Sequence, residues 1–325
     1  MGFKFISTGS YLPPKLLTNF DLERIVETSD EWIRERTGIR ERRIVSEEMA
    51  TSDMVTLATE EALKRGNVSK DEIDGVIVAT VTPDHAYPST ACWVQRNLGL
   101  GKIAAFDIEA ACSGFLYGML VAKGLLNTGA CTKIILSGAE TMSKAVNWDD
   151  RETCVLFGDG AGVCIVENSD DDSDIIASHW AADGSIGDLL IQPAGGSRLP
   201  ASHETIDKKL HGVKMKGREV FKYAVRYMGE AAHIVLKKAG LTVSDIDLYV
   251  PHQANFRIID ATCRRLGIPL EKTVITIDKC ANIPAATIPI SLDDAVKSGR
   301  LKRGDIALIV TFGGGFTWGA ALVRW

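Results

Sequence analysis

The sequence predicts an α/β protein made of two similar halves, and three observations carry that expectation. Short apolar runs alternate with helical stretches along the whole chain, the pattern of sheets buried between helices. The second half repeats the first at a nearly constant offset, with a period far too long for a solenoid. The 325 residues are 46% hydrophobic and 24% charged, which is ordinary for a globular chain of one large or two ordinary domains.

In the first half the buried strands are IDGVIVAT (73–80), KIAAFDIEA (102–110), TKIILSGAE (132–140) and AGVCIVE (161–167). In the second half they are IDLYVPH (246–252), TVITIDK (273–279), IALIVTF (306–312) and GAALVRW (319–325). Helical patterns lie between them and close on Gly or Asn. Asp74 matches Asp247 (247 − 74 = 173), Gly99 matches Gly267 (267 − 99 = 168), Asp107 matches Asp278 (278 − 107 = 171) and Gly129 matches Gly299 (299 − 129 = 170). The polar, turn-rich stretch NSDDDSD (168–174) sits at the seam, so the halves are drawn as residues 1–170 and 171–325.

Charge and composition exclude several classes of function. A net charge of −5 gives no basic footprint for nucleic acid. No apolar run reaches the length of a membrane span, and the first residues lack a signal-peptide layout. Seven scattered cysteines without a C-x-x-C pair point to a reducing cytoplasm, with neither disulfides nor a zinc site.

The stretch DIEAACSGFLYGM (107–119) places Cys112 where a strand ends and a helix begins. A helix N-terminus stabilises a thiolate through its dipole and free N–H groups, and so lowers the thiol pKa. Ala110, Ala111, Ser113 and Gly114 are small enough to let a substrate carbonyl approach the backbone. Most free cysteines are inert and buried, and by position alone Cys112 is one candidate among seven. The repeat singles it out, because Asn282 stands opposite it (282 − 112 = 170). His252 closes the strand IDLYVPH, and the three polar groups converge if the halves pack about a pseudo-twofold axis. Two glycine-rich stretches, FGDGAGVCIVE (157–167) and TFGGGFTWGAALVRW (311–325), precede or flank strands and are read as tight turns, not dinucleotide loops. The second exposes backbone N–H groups of the kind an oxyanion site needs.

AACSGFLYG, LFGDGAG, VPHQAN and FGGGFTWGAALVRW together resemble the β-ketoacyl-acyl-carrier-protein synthase III family, as do TSDEWIRERTGIRERR and GREVFKYAVR. The likeness covers nearly the whole chain. It implies a thiolase-like fold, two duplicated α/β halves packed as a five-layered αβαβα sandwich. It implies that Cys112 takes an acyl group from acyl-CoA, that malonyl-acyl-carrier protein then enters, and that His252 and Asn282 stabilise the enolate formed as carbon dioxide leaves. The product is a 3-oxoacyl-carrier, and the reaction initiates fatty-acid synthesis. The backbone N–H groups of Cys112 and Gly314 would form the oxyanion site. Trp32, Arg36, Arg151, Met215, Gly217, Phe221 and Asn255 would bind CoA. Tyr87, Phe157 and Leu189 would wall the acyl pocket. Lys222, Gln253, Ala254, Asn255, Phe256 and Arg257 would meet the acidic carrier. The family is homodimeric, and acyl-CoA is a substrate, with no tightly bound cofactor and no metal.

The bland reading of TSDEWIRERTG is an exposed amphipathic helix with a capping box from Thr28 to Glu31. Two departures from the family pattern stand out. Ile283-Pro284 follow Asn282 where Thr-Ser is usual, and the stretch 191–210 is longer than expected. A related condensing enzyme of secondary metabolism and a cysteine thioesterase are the competing activities.

Overall fold

Residues 2–325 are described by a computed structural model. The first half contributes strands β1 (Gly2–Tyr11), β2 (Lys15–Thr18), β3 (Glu41–Ile44), β4 (Gly75–Ala79), β5 (Ala104–Ile108), β6 (Lys133–Thr141) and β7 (Asp159–Ser169). The second contributes β8 (Asp174–Ala182), the two-residue β9 (Leu190–Ile191) and β10 (Lys214–Met215), then β11 (Leu248–Pro251), β12 (Ile306–Gly313) and β13 (Thr317–Arg324). One sheet runs β1-β7-β6-β4-β5 and the other β8-β13-β12-β11; β2 pairs with β3 and β9 with β10.

The duplication is visible strand by strand. In the first sheet β1–β7 and β7–β6 are antiparallel, then β6–β4 and β4–β5 parallel. In the second, β8–β13 and β13–β12 are antiparallel, then β12–β11 parallel. The matched residues have matched duties. Asp74 accepts from the Lys133 amide at 3.0 Å at the start of β6, and Asp247 accepts from the Ile306 amide at 2.8 Å at the start of β12. Gly99 and Gly267 each end a helix at φ +67° and +73°, a backbone region that a side chain resists.

The helices are α1 (Asn19–Leu22), α2 (Asp30–Thr37), α3 (Thr51–Gly66), α4 (Thr90–Leu98), α5 (Gly114–Asn127), α6 (Arg151–Cys154), α7 (His203–Asp207), α8 (Gly217–Ala239), α9 (Phe256–Leu266), α10 (Ile277–Cys280) and α11 (Thr287–Lys297). They make five layers with the sheets. Val76 and Val78 of β4 face α3 and α4, while Ile77 faces the centre, as the two-residue period of a strand requires. Likewise Ala307 and Ile309 of β12 face the centre, and Leu308 and Val310 face α8 and α9. The central layer is α5 and α11, whose Phe115, Leu116, Met119, Ile288 and Leu292 share one core between the sheets. The seam stretch 168–174 is the turn from β7 into β8.

Two sequence expectations are corrected here. The run 273–279 does not form a strand. It makes an isolated bridge from Thr273 to Tyr249 and then turns into α10. The Gln253 side chain takes the ladder's place, accepting from the Thr276 and Ile277 amides at 3.0 and 3.1 Å and donating to the Pro251 and Val274 carbonyls at 2.9 and 3.0 Å. The cap of α2 is Ser29, not Thr28. The Ser29 backbone is extended, and its hydroxyl accepts from the Trp32 amide at 3.1 Å.

Candidate active site

Cys112, His252 and Asn282 line one cavity of about 860 Å³, as the repeat predicted. All three are buried. Cys112 lies in the 3₁₀ turn Ala111–Ser113 between β5 and α5, one turn before the regular helix begins at Gly114. Asn282 lies in the equivalent place of the second half, before the turn Pro284–Ala286 that leads into α11. The Asn282 amide donates to the Leu156 carbonyl at 2.9 Å, and its carbonyl accepts from the Gly158 amide at 3.0 Å. The loop at 156–158 is thus a dock for Asn282. Pro284 occupies the first helical position, where its missing N–H costs nothing. Ala111 and Ala281 each precede a functional residue at positive φ, +46° and +58°, in the region where strain concentrates near working sites.

Burial opposes the thiolate that the helix-dipole expectation favours. Burial pushes the Cys112 pKa well above the usual thiol value, and the charge of Glu140 adds to this. Hydrogen bonds to the sulfur from the backbone N–H groups of Cys112 and Gly314 pull the other way but are outweighed. Those two amides are the ones expected to hold an oxyanion. The Thr317 hydroxyl lies 2.9 Å from Ala110 O and 3.2 Å from Gly314 O, and its single proton, shared between them, ties the two segments that carry those amides.

His252 directly follows β11, and its amide donates to Val310 O at 2.8 Å. Burial lowers its pKa to about 3, so the ring is neutral. Nδ1 lies 2.6 Å from the Thr287 hydroxyl, and Nε2 has no protein partner. A neutral imidazole beside a carboxamide offers two uncharged donors to one oxygen, which suits a developing oxyanion.

The cavity mouth gathers Trp32, Arg36, Met215, Gly217, Phe221, Lys222, Ala254, Asn255 and Arg257. The Arg151 guanidinium lies 5.0 Å from the Trp32 ring centroid in a cation–π contact, so a planar aromatic group enters between the two only if they part. The Asn255 side chain caps α9 and donates to Arg36 O at 2.9 Å, tying the two sides of the mouth. Lys222 and Arg257 are exposed on the rim.

Four expected site residues lie elsewhere or do other work. Gln253 is fully buried in the clamp described above and presents nothing to a partner's surface. Phe256 packs away from this cavity, beside Gly38 in a shallow neighbouring pocket. Phe157 lines the cavity, but Leu190 does so in place of Leu189, whose carbonyl accepts from the Lys216 amide. Tyr87 is 87% exposed within one chain and does not line this cavity.

Sequence reasoning also missed Glu140, Thr287 and Thr317. Each acts through a side-chain contact between distant segments and leaves no local pattern. Among the described residues there is no cluster able to hold a metal and no helix long and apolar enough to cross a membrane.

Known proteins share this fold and sequence. The sequence profile described as 3-oxoacyl-[acyl-carrier-protein] synthase III matches residues 106–184, and that of the C-terminal part of the same enzyme matches residues 236–325. The β-ketoacyl-[acyl-carrier-protein] synthase III of Caldanaerobacter subterraneus subsp. tengcongensis is 52% identical, over 98% of this chain and 97% of its own. The crystal structure of 3-oxoacyl-[acyl-carrier-protein] synthase III from Aquifex aeolicus superimposes with a TM-score of 0.92 at 49% identity, covering 100% of both chains. The corresponding synthase structure from Thermus thermophilus gives a TM-score of 0.92 at 43% identity, covering 99% of this chain and 98% of its own.

Proposed function

The chain belongs to the 3-oxoacyl-[acyl-carrier-protein] synthase III family, and on that footing we propose that it joins a short acyl group from acyl-CoA to malonyl-acyl-carrier protein, with Cys112 as nucleophile. It is a condensing acyltransferase of the β-ketoacyl-acyl-carrier-protein synthase III type. The observation that supports the residue roles best is the convergence of Cys112, His252 and Asn282 from opposite halves on one cavity.

In the first half-reaction the Cys112 sulfur attacks the thioester carbonyl. The tetrahedral oxygen is held by the N–H groups of Cys112 and Gly314. The bond to the CoA sulfur breaks, and the thiol proton leaves with CoA. In the second, malonyl-carrier enters and His252 and Asn282 donate to its thioester oxygen. The bond to the carboxylate breaks, carbon dioxide departs, and the electron pair becomes an enolate. The enolate carbon attacks the acyl-cysteine and the Cys112 sulfur leaves, taking up a proton from solvent. The net products are a 3-oxoacyl-carrier, CoA and carbon dioxide. Splitting the transfer through an acyl-enzyme replaces one difficult step with two easier ones.

Trp32 and Arg151 clamp the adenine, Arg36 pairs with phosphate, and Met215, Gly217, Phe221 and Asn255 line the pantetheine path. No further cofactor is invoked. Lys222, Ala254, Asn255 and Arg257 form the rim for an acidic carrier. The halves 1–170 and 171–325 act as one unit through their shared central layer. The protein works in the cytoplasm as a homodimer. The partly exposed edge strand β5 and the protruding Tyr87 support that assembly, and Tyr87 contributes to an acyl pocket only if it crosses to the partner.

Intact-protein mass after mixing with acetyl-CoA and longer acyl-CoAs tests this reading. A stable acyl adduct on wild type, absent in Cys112→Ser and discharged by malonyl-carrier as a 3-oxoacyl product, is expected. An unchanged mass with every CoA ester would remove acyl-CoA as the donor.

A further inference from the structure

The neutral imidazole of His252 carries one proton, and its place decides what the ring can do. With the proton on Nδ1, Nε2 faces the cavity as a lone pair and acts as a base. With the proton on Nε2, the same atom is a donor. His252 itself does not choose between them, since Nε2 has no hydrogen-bond partner among the described residues. The choice lies on the other side of the ring.

There Nδ1 meets the Thr287 hydroxyl at 2.6 Å, and both residues are 2% exposed. The same hydroxyl oxygen accepts from the backbone N–H of Gln253 at 3.3 Å. Among the described residues it makes no other hydrogen bond. If Nδ1–H also donated to this oxygen, the hydroxyl would receive two donors, and its own proton would be buried without an acceptor. Buried polar groups avoid that state. If the hydroxyl instead donates to the Nδ1 lone pair, every group is satisfied: Gln253 N–H to oxygen, O–H to Nδ1, and Nε2–H directed into the cavity.

The arrangement is also rigid. Gln253 is locked by four hydrogen bonds of its side-chain amide, which fixes the backbone beside His252. Thr287 is β-branched, opens α11, and is anchored by its own amide on Ile283 O at 3.0 Å.

We infer that Thr287 is a positioning residue that fixes His252 as the tautomer protonated on Nε2, so that His252 meets substrate as a hydrogen-bond donor and not as a base. The inference rests on the condensing reaction proposed above for the kinetic part of its test, and on geometry alone for the rest. Thr287 touches no reacting atom. It acts in the condensation step, where a donor to the thioester oxygen is needed, and not in the transfer of the acyl group to Cys112, where the oxyanion lies on the two backbone amides.

The test compares wild type, Thr287→Val and Thr287→Ser. Nitrogen-15 NMR of histidine-labelled protein, without substrate, reads the tautomer directly. Wild type is expected to show Nδ1 as the unprotonated, hydrogen-bonded nitrogen of His252 and Nε2 as the protonated one. Thr287→Val, which keeps the shape but not the hydroxyl, mixes the tautomers. It slows condensation from a preformed acyl-enzyme by about 10- to 100-fold, the range seen when the partner that orients a metal-bound histidine is removed. Acylation of Cys112 by acetyl-CoA stays within about twofold, since the hydroxyl has no part in it. Thr287→Ser restores both the signature and the rate. A wild-type signal from Nδ1–H overturns the inference. So does condensation at the wild-type rate in Thr287→Val, or a Thr287→Ser protein as slow as the valine variant. A wild type that forms no acyl-cysteine would overturn the proposed reaction, and the substrate-free spectrum would still decide the role of Thr287.

Discussion

Glu140 sits at the end of β6, fully buried between the halves, and replacing it with Gln makes a measurable change in how stability depends on pH. Its carboxyl accepts from Thr82 Oγ1 at 2.6 Å, Thr80 Oγ1 at 3.2 Å, the Val81 amide at 3.1 Å and, across the seam, the Ala285 amide at 3.3 Å. Burial outweighs these donors and raises its pKa from 4.5 to about 7. The folded protein therefore holds this proton over a range in which the unfolded chain has released it. The slope of unfolding free energy with pH follows protons bound unfolded minus protons bound folded, so it is negative between about pH 4.5 and pH 7. The shift of about 2.5 units, at about 1.4 kcal/mol each, amounts to about 3 kcal/mol lost on going from the bottom of that window to the top. Below the window both states are protonated and nothing is lost; above it the loss is complete. In Glu140→Gln one oxygen still accepts from Val81 and Ala285, and the amide can donate to the threonine hydroxyls, which can turn to accept. Urea unfolding of both proteins at about pH 5, 6, 7 and 8 isolates the effect. The stability of wild type minus that of Glu140→Gln is expected to fall by about 2–3 kcal/mol across the series, part of the loss having already occurred at pH 5. A flat difference would show that Glu140 does not titrate there. A rising one would show that the four donors outweigh burial, and either result would refute the reasoning.

Two further substitutions probe the cavity. A Cβ added to Gly313 would lie 2.6 Å from the Cys112 amide nitrogen and 3.1 Å from its Cβ, so Gly313→Ala displaces the turn that aims the oxyanion donor. Acylation of Cys112 is expected to fall by about 100-fold, read by intact mass, because errors of about 1 Å in placement cost that much; near-normal acylation would show that the turn yields harmlessly. Trp32→Ala removes one face of the clamp with Arg151. The KM for acetyl-CoA should rise by about tenfold with kcat kept, while an acyl-pantetheine fragment lacking adenine is used as before.

The doubled architecture was legible because both halves make the same local demands on the chain. Gly99 and Gly267 are matched because each helix leaves through a left-handed residue. Asp74 and Asp247 are matched because each sheet begins a central strand with backbone amides that need an acceptor. Those demands are written in single residues, so reading them needs no knowledge of tertiary contacts. Once the halves are aligned, Cys112 points to Asn282 and the site is located.

What stayed hidden is what the halves do to each other, and what one half does differently. The run 273–279 has the composition of a strand, yet its amides go to the side chain of Gln253, more than twenty residues earlier in the chain. Composition cannot report such a theft of hydrogen bonds, and the same theft buries Gln253, which looks from sequence like a surface residue beside a helix start. Ala111 and Ala281 are silent for a related reason. Alanine signals no special backbone, yet both hold positive φ directly before the nucleophile and its opposite number, at an offset of 281 − 111 = 170. Strain of this kind, about 1–3 kcal/mol at each residue, persists only where surrounding contacts over-determine the backbone. Those contacts are on the seam: Thr317 holds Ala110, and Leu156 with Gly158 holds Asn282. Each half is thus bent into its working shape by groups that include residues of the other. That is why Cys112 and Asn282, read singly, look like a buried thiol and a helix cap, and only the packed pair of halves makes them a site.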